Sequence, residues 1–199
     1  MRLRDLDADI RHLRETTIES EQVWKGRLLD VRRDRVSLPD GSSADREYIV
    51  HPGAVMVVAM LDADRVIVER QWRHPIGRAL LEFPAGKLEP GEPVLACAVR
   101  ELFEETGYRA AEWARAGLTH NAIAYATEGI EIWFARGLVA GERKLDHGEF
   151  LDVLEATSEE LEAAAGSGEL TDAKTLVGLL WLRNLREGRW SLQWQPAPP

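Results

Sequence analysis

The chain has 199 residues, 45% of them apolar, with 25 Lys and Arg against 34 Asp and Glu, for a formal net charge of −9. That length holds one well-packed domain plus a small accessory one, and the acidic balance argues against non-specific nucleic-acid binding. The single cysteine, Cys97, excludes an intrachain disulfide, suits a reducing cytoplasmic setting and reads as a small buried hydrophobe rather than a catalytic thiol.

The opening MRLRDLDADI lacks the apolar stretch of a secretory signal, and no run is long and apolar enough to predict a membrane span. Leu3, Leu6, Ile10 and Leu13 recur at helical spacing, which predicts a short amphipathic helix over 3–15. From Thr17 to Val50 the period changes to two. This predicts an antiparallel meander of about three strands, with Asp40-Gly41 as the strongest hairpin signal. Residues 1–50 thus form an N-terminal helix and sheet, and 51–195 a larger domain.

GAVMVVAML (53–61) and RVIVERQW (65–72) read as two buried strands joined by the turn Asp62-Ala63-Asp64. The polar segment Arg70-Gln71-Trp72-Arg73-His74-Pro75 follows, and then Leu80-Leu81-Glu82-Phe83-Pro84-Ala85-Gly86. Glu82 either accepts a hydroxyl donor from a ligand or faces solvent at a strand end.

Residues 86–108, GKLEPGEPVLACAVRELFEETGY, organise the rest. Pro90-Gly91 marks a turn, Pro93 sits where a first helical position needs no N–H, and Gly107 suits a left-handed helix end. With Glu101 as zero on a helical wheel, Glu105 lies at about 40° and Glu104 at about 300°. Leu95, Ala98, Val99, Leu102 and Phe103 form an apolar arc facing a core. The three carboxylates therefore project from one edge of a buried helix. Like charges at that spacing repel unless a cation neutralises them. Arg100 pairs with Glu104 at i,i+4, which leaves Glu101 and Glu105 for hard cations such as Mg²⁺ or Mn²⁺.

Beyond the helix, Gly117 to about Ala126 and Gly129–Leu138 read as further strands, with Tyr125 either a core aromatic or a ligand contact. Asp146 to Val153 is a loop entering a strand. TSEELEAAA (157–165) is a capped helix, TDAKTLVGLLWLRNLREG (171–188) a second helix ending at Gly188, and Gln195 to Pro199 a short tail.

The spacing Gly86, five residues, Glu92, seven residues, then Arg100-Glu101-Leu102-Phe103-Glu104-Glu105-Thr106-Gly107-Tyr108 resembles, at every fixed position, the signature of the Nudix hydrolases. Within that family the chain looks most similar to the ADP-ribose and nucleotide-sugar pyrophosphatases. The resemblance implies an α/β fold, a Nudix-type α/β/α sandwich with a mixed sheet, preceded by a small N-terminal antiparallel β-sheet. It implies metal-dependent hydrolysis of ADP-ribose or a related nucleoside diphosphate sugar to a nucleoside monophosphate and a sugar phosphate, with two or three Mg²⁺ or Mn²⁺ ions per site.

Glu101, Glu105 and the backbone carbonyl of Ala85 become metal ligands by this resemblance. Glu149 becomes a metal ligand or general base, with His147 and a helix carboxylate as the other candidates for the base. Glu104 is a ligand or only the Arg100 partner, and both join Glu149 as catalytic candidates. Arg73 becomes a phosphate-binding residue, and Glu82 a ribose acceptor. The N-terminal sheet of such relatives helps build a homodimer. Trp24 is then a candidate to stack on a base, or a partly buried sheet aromatic, and Arg46 a phosphate or ribose contact, or a solvent-facing strand residue. One departure stands out: no proline lies between Pro93 and Pro196, although the ADP-ribose subgroup usually has one there. That leaves other ADP-sugars and GDP-mannose-type substrates open, beside a module that binds a nucleotide-sugar without cleaving it. Neither nucleic acid nor membrane is an expected partner.

Overall fold

The structure is a computed structural model that describes residues 9–198. Of the helix expected over 3–15, residues 3–8 lie outside the described residues, and 9–15 hold only a turn at 11–13. The chain forms two compact units, one running to His51 with Ala122–Glu128 added, the other comprising Pro52–Asn121 and Gly129–Pro199.

The first unit is the expected meander: β1 (Thr16–Lys25), β2 (Asp30–Ser37) and β3 (Ser43–Val50), antiparallel in that order. Asp40 closes the second hairpin by accepting from Ser42 N (2.9 Å) and Ser42 Oγ (2.6 Å), while Gly41 takes φ 85°. Period two is visible in β2, where the buried Asp34 and Val36 alternate with the exposed Arg33 and Arg35. All ten residues of β1 are exposed. Residues 122–128 join this unit through Ile49 N to Tyr125 O (2.8 Å) and Thr127 N to Ile49 O (2.9 Å). Tyr125 is exposed there, not a core aromatic.

In chain order the second unit contains β4 (Ala54–Met60), β5 (Arg65–Arg73), β6 (Arg78–Glu82), β7 (Ala85–Lys87), α1 (Val94–Thr106), β8 (Tyr108–His120) and β9 (Gly129–Ala140). It continues with β10 (Leu151–Thr157), α2 (Ser158–Ser167), α3 (Ala173–Arg186) and β11 (Gln195–Pro196). Its mixed sheet runs β10-β5-β4-β9-β8-β11, with β6 on β5 and β7 on β4. The β4–β9 pair is parallel and the other named pairs are antiparallel.

Alternation along the strands builds the layers. Val55, Val57, Ala59 and Ile67 pack with Cys97, Ala98 and Leu102 of α1. Ala54, Met56, Val58, Val66 and Val68 pack instead with Leu161 of α2 and with Leu179 and Leu182 of α3. The sheet is thus covered on both faces, which is why GAVMVVAML reads as a continuous apolar run. This is the expected α/β/α sandwich. Among the described residues, no helix is long and apolar enough to cross a membrane.

Several boundaries differ from those read in the sequence. β8 begins at Tyr108 rather than Gly117 and ends at His120. Its Ala- and Arg-rich start has little strand propensity and is held by pairing with β9 along its length. The tail is not loose: Gln195 and Pro196 pair with Trp113 and Glu112 at the sheet edge. β6 and β7 are too short to stand out in the sequence. Pro93 is the N-cap of α1 rather than its first helical residue, and α3 ends at Arg186 with Glu187 as its C-cap rather than at Gly188. α2 keeps the capping box Thr157–Glu160.

Candidate active site

The site grows out of the turn before α1. Glu92 folds back to accept from Glu89 N (3.0 Å), and its two oxygens take Arg100 Nε (2.8 Å) and Nη2 (2.9 Å). Arg100 holds the Glu92 carboxyl down at about 2. The same guanidinium donates from Nη1 to Glu104 Oε2 (3.0 Å) and Glu101 Oε1 (2.8 Å), and from Nη2 to Lys87 O (3.2 Å). The i,i+4 pair with Glu104 is therefore present. Arg100 does not leave Glu101 free, however: one arginine ties three carboxylates and the Lys87 backbone together.

Glu101 lies against the loop so closely that a Cβ on Gly86 would sit 1.8 Å from its carboxyl carbon. Burial drives the Glu101 pKa up to about 7, with Arg100 opposing and Glu104 and Glu149 adding to the rise. Glu105 departs further from the expected edge position, for it is only 4% exposed. Its Oε2 accepts from Ala85 N over 3.0 Å. Burial, then the neighbouring charges of Glu69 and Glu101, push its pKa upward against that hydrogen bond. The wheel placed Glu105 beside Glu101 correctly, but only the covering β7 turn determines that it points inward.

Glu149 is half-buried in the loop before β10, where its Oε2 accepts from Asp146 N (3.3 Å). Its charge acts on Glu69, Glu101 and Glu105, which puts it at the same cluster. His147, two residues earlier, is exposed. Arg73 grips Glu82 bidentately, Nε to Oε1 (2.6 Å) and Nη2 to Oε2 (2.7 Å), which leaves Nη1 outside that pair. Glu82 does not face solvent: it is 3% exposed, and its oxygens also receive Lys174 from α3. Lys174 reaches Asp172 as well (2.9 Å). As a ribose acceptor, Glu82 thus starts with both oxygens engaged.

Trp24 and Arg46 belong to the first unit. Trp24 is exposed rather than partly buried, with its indole over Gly26, and Arg46 is bound to Glu15 (2.9 and 2.6 Å). Beside this cluster, sequence alone did not single out Glu69 of β5, a buried carboxylate. The signal was there: it follows Ile67 by two positions in a run whose alternate residues face α1.

The donor set consists of hard oxygens, partly buried and mutually repelling, which suits a divalent cation. Among the described residues, no three or more such side chains converge tightly enough to hold an ion unaided. Mg²⁺ sites with few protein ligands are commonly completed by water and substrate phosphate.

Two known domain families match parts of the chain. The NUDIX domain matches residues 50–176, and the nucleoside diphosphate sugar hydrolase N-terminal domain matches residues 15–49. The chain is similar to the ADP-ribose pyrophosphatase of Bacillus subtilis (strain 168), at 38% identity over 87% of this chain and 95% of that one. It is similar also to the methanol dehydrogenase activator of Bacillus methanolicus, at 37% identity over 85% of this chain and 92% of that one. A crystal structure of an ADP compounds hydrolase superposes with a TM-score of 0.79 at 25% identity, covering 89% of this chain and 98% of that one. With its signature helix intact and its carboxylates gathered at one loop, the chain belongs to the NUDIX domain family and is a Nudix hydrolase.

Proposed function

We propose that the chain hydrolyses the pyrophosphate of ADP-ribose or a related ADP-sugar, giving AMP and a sugar phosphate, with Mg²⁺ or Mn²⁺ as the cation. The observation that supports this most directly is the placement of Glu105, buried beneath the Ala85 N–H, beside Glu101 and within reach of the charge of Glu149. Relatives named for ADP-ribose and ADP compounds add the substrate class.

Glu101, Glu105 and the Ala85 carbonyl would hold the ions, two or three in number. When bound, these ions supply charge neutralisation for the diphosphate and an easier deprotonation of the attacking water. The remaining tasks fall to this chain's own groups. Arg73, steadied by Glu82, points a guanidinium of permanent charge at phosphate oxygens. Glu149 takes the proton of the attacking water at its carboxylate. It is favoured over His147 because its charge is felt by the other carboxylates, whereas His147 is exposed. Arg100 and Glu92 position Glu101 and Glu104 and touch no substrate.

The first unit supports a homodimer, since every residue of β1 is exposed, Ile18, Val23 and Trp24 among them. Trp24 and Arg46 are then its candidates for base and ribose contacts, and the free, buried Cys97 suits a reducing cytoplasm. Product analysis on a panel of ADP- and GDP-sugars in ¹⁸O-labelled water tests the reading. AMP and a sugar phosphate, one of them labelled, are expected. Intact ligand after prolonged incubation with Mg²⁺ and Mn²⁺ would refute it.

A further inference from the structure

Glu69 sits in β5, opposite Glu82 of β6 and Val153 of β10. Strand alternation puts it on the face of Ile67, which packs beneath α1 with Leu102 and Ala98, and Val153 packs in the same layer. It is 3% exposed, and its Oε1 has no hydrogen-bond partner among the described residues. The cations nearest to it are already committed. Arg73 is bound to Glu82, and Lys174 to Glu82 and Asp172. Glu105 stands about one helical turn beyond Leu102 on α1, itself 4% exposed.

A buried carboxyl with an unpaired oxygen destabilises a fold, and an apolar side chain of the same volume would fill this position better. The carboxylate makes sense where positive charge arrives from outside the chain. We propose that Glu69 is a further carboxylate of the divalent-cation site, facing Glu105 from the strand side and supplying negative charge that α1 alone does not. This rests on the cation-dependent reading given above. In that role Glu69 positions and charges the site and has no part in the chemical step.

The test is Mn²⁺ titration of the full chain without substrate, followed by electron paramagnetic resonance of free Mn²⁺. Melting curves in EDTA run alongside it. Glu69→Gln, the apolar Glu69→Met and Glu105→Gln are compared with the unaltered chain. The expected result is a loss of Mn²⁺ affinity of about 10- to 100-fold in both Glu69 variants, the size typical of groups that support metal ligands. Their melting temperatures in EDTA should equal or exceed that of the unaltered chain, a gain that a merely structural glutamate would not give. Unchanged Mn²⁺ affinity in the Glu69 variants, with affinity lost in Glu105→Gln, overturns the proposal and leaves the cation site standing. Unchanged affinity in all three overturns both. If neither Glu69 variant folds, the residue is structural and the proposal falls.

Discussion

The carboxylate of Glu101 occupies the space that a side chain on Gly86 would need, 1.8 Å from the position of its Cβ. Gly86 is therefore required for room, not for backbone freedom, since it is not among the glycines with positive φ. Gly86→Ala should push Glu101 off Arg100 and cost about 10²-fold in turnover, the effect of a misplacement of about 1 Å at a catalytic group. The fold should survive because the atoms in the way are the end of the Glu101 side chain and not backbone. Steady-state kinetics with circular dichroism would show it, and full activity would refute the close approach.

Glu105→Gln retains an oxygen able to accept the Ala85 N–H and removes a buried charge. We expect a folded protein whose turnover falls by about 10³-fold, since cation assistance to phosphate chemistry contributes several kcal/mol. The check is kcat at saturating Mg²⁺; turnover near that of the unaltered chain would remove Glu105 from the site.

Stability without metal should depend on pH through Glu101. Its pKa is raised from an ordinary 4.5 to about 7 by burial, so between those values the folded chain binds more protons than the unfolded chain. The contribution is fully present below about 4.5 and is lost as pH rises through about 7. The melting temperature in EDTA should fall across that window, and Glu101→Gln should flatten the profile. A melting temperature that rises from pH 5 to 7 by the same amount in both proteins would contradict the assignment.

Lys174 meets Glu82 and Asp172 where all three are largely buried. Lys174→Met leaves Arg73 as the one cation paired with Glu82 among the described residues and should destabilise the fold by about 3 kcal/mol, the lower end for a broken buried pair. Urea unfolding in EDTA measures it. Because Arg73 then carries Glu82 alone, KM for the nucleotide sugar should rise more than kcat falls.

Local order was legible in the residues. The turn at Pro90-Gly91, the stop at Gly107, the Asp40-Gly41 hairpin and the capping box at Thr157 each depend on contacts between near neighbours. The apolar runs of β4 and β5 announced a sheet covered on both faces, and the Glu92–Arg100–Glu101–Glu105 spacing announced the helix and its family. What those residues could not determine was direction and company, because both depend on chain that arrives from far away. Glu105 turns inward because β7 lays an N–H over it, and Glu82 gains a second cation beside Arg73 because α3 delivers Lys174 from 92 positions on. Glu69 acquires meaning only when β5 is set beneath α1. A carboxylate's role depends on how much water and which charges surround it, and sequence spacing specifies these only within a single helix or turn.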